Sequence, residues 1–361
     1  MVNKFFAIFM LLIFAPSQCY ANQPQIKIDS QSINEYLFSI KSNNINFDNL
    51  LNLIKQGNLN DVVNVIISEL KNSINSSIVN NNKIMFTLIS ICLFSVVIKI
   101  IQGSKANSYD ELLIAYFVSG IFTNIYIKFY EIASQTVNSI VGFMQVSLPV
   151  YFSVSSVFMN KIPVSVYSTF LIFTGVFQYL AVNIIFPAIN ILLVLSIITS
   201  VYPEFDTSGV KKFICNIIHW LLGLYTTFFI VGVKLTQTIT YGSQRLFLTG
   251  IKYAVSRSVP VVGSFLSDTA EAMIGSIILL HNSIGVAGIV IVIAIVIAPF
   301  AAMFLFSMII KLIGSVFSCI SKSNICSLFI AFSDCLTELA IVLICISVTF
   351  VIAIATEISV F

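Results

Sequence analysis

Charge is scarce in this chain: of 361 residues only 9% are Asp, Glu, Lys or Arg, and there are two histidines and one tryptophan. Eighteen basic residues against 15 acidic ones leave a net charge of +3, and the basic residues are scattered, so no nucleic-acid surface is expected. The seven cysteines show no CxxC spacing. His219 and His281 lie far apart with no metal-type partner motif, so neither a zinc site nor any other metal is expected. No GxSxG, Walker or GxGxxG pattern occurs. The expectation is a protein that is not an enzyme and holds no cofactor.

What the chain has in abundance is apolar sequence. Hydrophobic residues make up 58% and the mean hydropathy is +1.00. Residues 284–310 run without one charged side chain. At 1.5 Å of rise per residue that run reaches about 40 Å as a helix, more than a hydrocarbon core of about 30 Å. Pro299 offers it a place to bend. The expected fold class is all-α: a polytopic helical membrane protein lying in a lipid bilayer, with about six to eight spans.

The amino terminus reads as a targeting segment. Lys4 supplies the positive region, residues 5–15 the apolar stretch, and Cys19-Tyr20-Ala21 a small-x-small cleavage site. Residues 1–21 are therefore expected to be a cleavable signal peptide, with the mature chain beginning outside the cytoplasm. Residues 22–83 are polar and form a small helical extracytoplasmic region. Phe47, Leu50, Leu51 and Ile54 recur at helical spacing, as do Val62, Val63, Ile66, Ile67 and Leu70, with Gly57-Asn58 breaking the two. A unit of about 60 residues buries little core alone, so it is expected to pack on the membrane part or on a partner.

Residues 84–361 form the multi-span domain. Apolar segments fall at 84–101, 112–129, 134–158, 167–183, 184–201, 217–238, along the long run from 284, and at 339–356. Residues 259–280 are amphipathic, and a re-entrant path is one reading of them. With the amino terminus outside, Lys105, Lys161 and Lys211-Lys212 are expected inside, while Arg245, Lys252 and Arg257 fall on the other side.

The polar residues at membrane depth carry the remaining information. Lys234 closes an apolar run, where it either snorkels to the interface or serves a polar path. Asp268 and Glu271 share a helix face, and so do Asp334 and Glu338; each pair either lines an aqueous path or marks an interfacial helix end. Ser134, Asn138, Gly142 and Gln145 form a stripe that either lines a pore or joins helices by hydrogen bonds. Ala294, Ala298 and Ala302 make a small-residue ladder for helix packing, within the chain or with a second copy, and Gly285 and Gly288 begin the same helix. A disulfide between Cys319 and Cys326 is conceivable but unforced.

Residues 251–292 carry a family resemblance. The pieces are Lys252-Tyr253-Ala254-Val255-Ser256, Val259-Pro260-Val261-Val262-Gly263, Leu266-Ser267-Asp268, and Asn282-Ser283-Ile284-Gly285-Val286-Ala287-Gly288. Leu148-Pro149 and Phe186-Pro187 agree more loosely. This pattern resembles the stage III sporulation protein AE family of endospore-forming bacteria, in order and length over almost the whole mature chain. The chain departs from the pattern at His281, where a lysine is expected before the Asn-x-x-Gly element. A role for a fixed positive charge there is accordingly in doubt.

The resemblance implies a multi-pass protein of the mother-cell membrane around the forespore. It implies membership of the stage III A channel or secretion-like machinery, with other stage III A membrane proteins as partners. Candidate pore or interface residues are Lys234, Pro260, Gly263, Asp268, Glu271, Asn282, Gly285 and Gly288, with Pro260 and Gly263 shaping a re-entrant turn. The alternative of a different class is a self-sufficient permease-like transporter of small molecules, in which Asp268, Glu271 and Lys234 handle substrate or protons. Such transporters often show internal repeats, and the two halves of this chain show none that is convincing.

Overall fold

The structure is a computed structural model. It describes residues 31–40, 46–57, 60–68, 71, parts of 86–97, 108–159, 164–202, 204–258, 262–320 and 324–358; within these, side chains are described outside 108–112, 152, 154–159, 164–166, 237–281, 320, 324 and 356–358. The targeting segment therefore lies outside the described residues, and so does most of the expected span at 84–101. Among the described residues the chain is helical and contains no strand.

Two short helices come first, α1 (Gln31–Ser39) and α2 (Phe47–Lys55). Asn46 caps α2, its side-chain oxygen accepting from the N–H groups of Asp48 at 2.9 Å and Asn49 at 3.2 Å. Gly57, at φ 72, ends it in the left-handed conformation that the Gly57-Asn58 break called for. Residues 60–68 are helical again.

Among the described residues, five stretches of helix are long and apolar enough to cross a membrane: Leu113–Tyr151, Tyr167–Val201, Ser208–Thr236, Asn282–Cys319 and Ile325–Ala355. The first belongs to α3 (Ser108–Met159), a single helix where hydropathy gives two segments. Lys128 and Glu131 separate the two apolar runs, but both side chains are exposed on one continuous helix. Pro149 costs one backbone bond and does not end it. The second stretch fuses α4 (Val164–Leu180) and α5 (Phe186–Val201) through a π turn at Ala181–Ile185. That wider turn, in which Phe186 N–H reaches Ala181 O, comes just before Pro187 and absorbs its missing N–H.

α6 (Ser208–Ser258) and α7 (Val262–Ile320) run 51 and 59 residues, and α8 (Asn324–Ile358) completes the chain. The expectation of a separate, re-entrant 259–280 segment is corrected: residues 262–281 are the first turns of the same helix that carries the long apolar run. Gly263 lies in that helix and Pro260 lies outside the described residues. At 1.5 Å per residue α6 is about 75 Å long and α7 about 90 Å, two to three times a hydrocarbon core.

Side-chain pairs fix the directions. α3 and the α4–α5 helix are antiparallel, with Tyr130 against Phe186 and Asn138 against Gln178. α4 and α6 are antiparallel, Phe173 and Thr169 meeting Phe229 and Thr236. α7 and α8 form an antiparallel hairpin, with Ser307 on Ser333 and Lys311 on Asp334. Consequently α3 ends, and α4 begins, at the end opposite Lys211 and Lys212. Lys161, expected on the same side as those lysines, lies outside the described residues.

The core is aromatic. Phe122 of α3 stacks on Phe332 of α8 with ring centres 4.2 Å apart and meets Phe329 edge-on at 4.8 Å. Phe177, Tyr225, Phe229 and Phe350 join α4, α6 and α8, and the Tyr225 hydroxyl donates to the Phe173 carbonyl.

Candidate functional site: a capped bundle with a polar belt

At one end of the bundle α1 and α2 form a cap. Asn34 locks them together: its Oδ1 accepts from Phe47 N–H at 2.9 Å, and its Nδ2 donates to Asp48 Oδ2 at 2.7 Å. The pair buries Ile33, Leu37, Phe47, Leu50 and Leu51. Its anchor on the bundle is Tyr36, whose hydroxyl donates to the Ser139 carbonyl on α3 at 3.1 Å. A Cβ added at Gly142 would overlap the Tyr36 phenol, so only glycine admits that ring. Burial raises the Tyr36 hydroxyl above its ordinary tyrosine value.

Under the cap lies a small cleft lined by Ile33 and Phe47 from above and by Phe143, Met144, Gly285 and Gly288 from the bundle. Asn282 stands at the head of the same span, its side-chain oxygen buried without a hydrogen-bond partner among the described residues. Gly285 and Gly288 are both buried, and a Cβ at Gly288 would reach Ile354 of α8 at 3.8 Å. The amino-terminal helices thus pack on the membrane part, at the Gly142 position of the polar stripe and beside the Asn-x-x-Gly element. The stripe also joins helices, since Gln178 Nε2 donates to Asn138 Oδ1 at 2.8 Å.

A second feature lies roughly 10 to 20 Å along each span from the other end of the bundle. There all five spans contribute polar groups. Ser307 of α7 meets the carbonyl and hydroxyl of Ser333 at 2.9 and 3.0 Å and the Thr337 hydroxyl at 2.7 Å. Lys311 Nζ meets Asp334 Oδ1 at 2.8 Å, both side chains half exposed. Glu338 is only 12% exposed; its Oε2 lies 2.9 Å from His219 Nε2 and its Oε1 accepts from Cys215 Sγ at 3.5 Å. Among the described residues, the Tyr126 hydroxyl of α3 and the Asn190 side-chain oxygen of α5 are buried without a hydrogen-bond partner. Among the described residues, no three His, Cys, Asp or Glu side chains are placed to hold a metal ion.

The structure treats the sequence candidates unequally. Asp334 and Glu338 do share a face, but each has a different partner helix, and Glu338 lies inside the last span rather than just ahead of it. Lys234 is exposed close to the Thr236 end of its span. Ala294 is buried, and Ala298 and Ala302 are partly buried, on the helix that packs chiefly on α8. Cys319 is exposed and Cys326 is buried. The side chains of Asp268 and Glu271 lie outside the described residues.

Several residues escaped the sequence reading. His219 and Cys215, four apart on α6, carry the partners of Glu338, and Lys311 carries that of Asp334; the signal was a scarce polar residue at helical spacing inside an apolar run. Gly314 was also missed. A Cβ there would meet Phe329 Cβ at 2.8 Å and the Cys326 carbonyl at 3.2 Å, so the bare Cα lets α7 and α8 approach closely at this point.

Comparison with known proteins agrees with this architecture. The family described as stage III sporulation protein AE matches residues 45–360. The stage III sporulation protein AE of Bacillus subtilis (strain 168) is 21% identical over 224 residues, covering 61% of this chain and 56% of that protein. The match thus spans little more than half the length of that curated relative. No solved structure matches the chain. The family match takes in everything from α2 through the last span, and the chain belongs to the stage III sporulation protein AE family.

Proposed function

We propose that this sporulation protein is a non-enzymatic membrane component of the stage III A channel, or secretion-like, complex between mother cell and forespore. In this reading it lies in the mother-cell membrane around the forespore, works with other stage III A membrane proteins, and is needed for late forespore development. Residues 1–21 are its signal peptide, and residues 22–83 lie in the space between the two cell membranes. Pro260, Gly263, Asp268 and Glu271 then belong to a docking surface on that side.

The observation that carries this reading is the surplus length of α6 and α7. Helices of 51 and 59 residues far exceed a single crossing. A self-contained carrier has no need of such an extension, whereas a component that binds neighbours does. The permease-like alternative draws its support from Glu338, an acid held inside a span.

The test is complementation in sporulating cells that lack the protein. A chain shortened by residues 245–278, present in the membrane at wild-type level, should fail to restore late forespore gene expression. Full restoration by that shortened chain would count against the complex and for the self-sufficient transporter.

A further inference from the structure

We propose that copies of this chain meet in the membrane through a polar face of α3 centred on Lys128 and Glu131. The inference rests on the five-span bundle and not on the sporulation reading, so either can fail alone.

Asn124, Lys128, Glu131, Gln135 and Asn138 follow one another at alternating steps of four and three residues, the heptad spacing that keeps side chains on one helix face. All five are exposed. Together they occupy about 21 Å of the helix, most of a hydrocarbon core. At the next heptad position, Gly142, the phenol of Tyr36 rests on α3, so the open face ends beneath the cap.

This face lies deep in the apolar layer. Tyr130, between Lys128 and Glu131, packs on Phe186, which is near the middle of the Tyr167–Val201 stretch. Phe129 packs on Phe306, inside the uncharged run 284–310. Neither Lys128 nor Glu131 belongs to an ion pair among the described residues. Charged groups at that depth are strongly disfavoured against lipid tails and belong where another protein surface or water meets them. The outward face of α6 makes the contrast, with Phe213, Ile217, Trp220, Phe228 and Val231 turned to the surroundings as lipid requires.

A second copy of the chain fits this face because the face is its own complement. It carries one cation and one anion a single turn apart, and its amides each donate and accept. Copies with the same membrane orientation are related by rotation about the membrane normal, which sets their α3 helices parallel. Lys128 of each copy then comes within a turn of Glu131 on the other, giving two reciprocal ion pairs. Ile127 and Ile132, 48% and 40% exposed, flank the charges and supply apolar packing beside them. Asn138 is braced from within the chain by Gln178 of α4.

Energy transfer between donor-labelled and acceptor-labelled copies of the full chain, reconstituted together in liposomes at a fixed protein-to-lipid ratio, tests the face. The wild type should give transfer well above that of randomly mixed chains at the same density. Lys128→Glu alone and Glu131→Lys alone each gather like charges on the face and should lower the transfer severalfold. Donor-labelled Lys128→Glu mixed with acceptor-labelled Glu131→Lys should restore it, since each copy then supplies the charge the other lacks. Helical content by circular dichroism separates a lost contact from a lost fold. Wild-type transfer at the random level would overturn the proposal and leave the face to a different protein or to another segment of the same chain. Undiminished transfer in the folded single variants, or no recovery in their mixture, would overturn it as well.

Discussion

Tyr36 stands with its phenol against the bare Cα of Gly142 and donates its hydroxyl to the Ser139 carbonyl one turn earlier on the same helix. That contact joins the amino-terminal helices to the membrane bundle, so a side chain at position 142 must displace Tyr36 or the cap. Gly142→Leu should cost about 1–3 kcal/mol, the usual penalty of forced overpacking. The expected readout is faster hydrogen exchange in residues 31–39 and 47–55, with residues 325–355 unaffected. Adding Tyr36→Ala should relieve the clash and restore part of the protection, which marks the phenol as the obstacle.

The same tyrosine makes the cap sensitive to alkali. Burial raises its hydroxyl above the ordinary tyrosine value, so the folded state favours the protonated form. That stabilisation is complete below the unfolded tyrosine value near 10 and is lost as pH rises through the higher folded value. Deprotonation would also set a phenolate against the Ser139 carbonyl, two acceptors with no proton between them. Cap protection should therefore fall above about pH 10 in the wild type. Tyr36→Phe should remove that tyrosine-specific loss, at a constant cost of about 0.5–1.5 kcal/mol for the missing hydrogen bond.

The α7–α8 hairpin should tolerate loss of a hydroxyl better than loss of a glycine. Ser307→Ala removes one partner of Ser333 and Thr337, and interhelical hydrogen bonds in membranes average about 0.6 kcal/mol. Gly314→Leu instead drives side-chain atoms into Phe329 and the Cys326 carbonyl, where backbone cannot yield. Thermal unfolding in detergent should show a small downward shift for the first. For the second it should show a much larger shift or no folded protein. Equal shifts would mean that the hairpin is not closely packed at its tight end.

Much of the fold was legible because apolar runs and helix breaks are local signals. Gly57 and the amphipathic Phe47, Leu50 and Leu51 pattern gave α2 directly, whereas α1 was not read from the sequence. Span boundaries were harder. Hydropathy divided α3 at Lys128 and Glu131 and divided the α4–α5 helix at Asn183, because a charged or amide side chain lowers a window average even when it points outward. It also began the last span at Leu339, since Ser333, Asp334, Thr337 and Glu338 look like a polar loop until α6 and α7 supply their partners. Those partners come from other helices, which no window sees. Asn282, Gly285 and Gly288 stood out through the family resemblance. Their burial under Ile33 and Phe47 depends on a contact between distant parts of the chain.

The most direct test of the functional account is a pull-down of tagged, detergent-solubilised protein from sporulating cells, the wild type beside a Pro260→Ala, Gly263→Leu variant. The account predicts that other stage III sporulation membrane proteins come down with the wild type and are weakened or lost with the variant. Recovery of the chain alone, from cells that still require it to make spores, would contradict it.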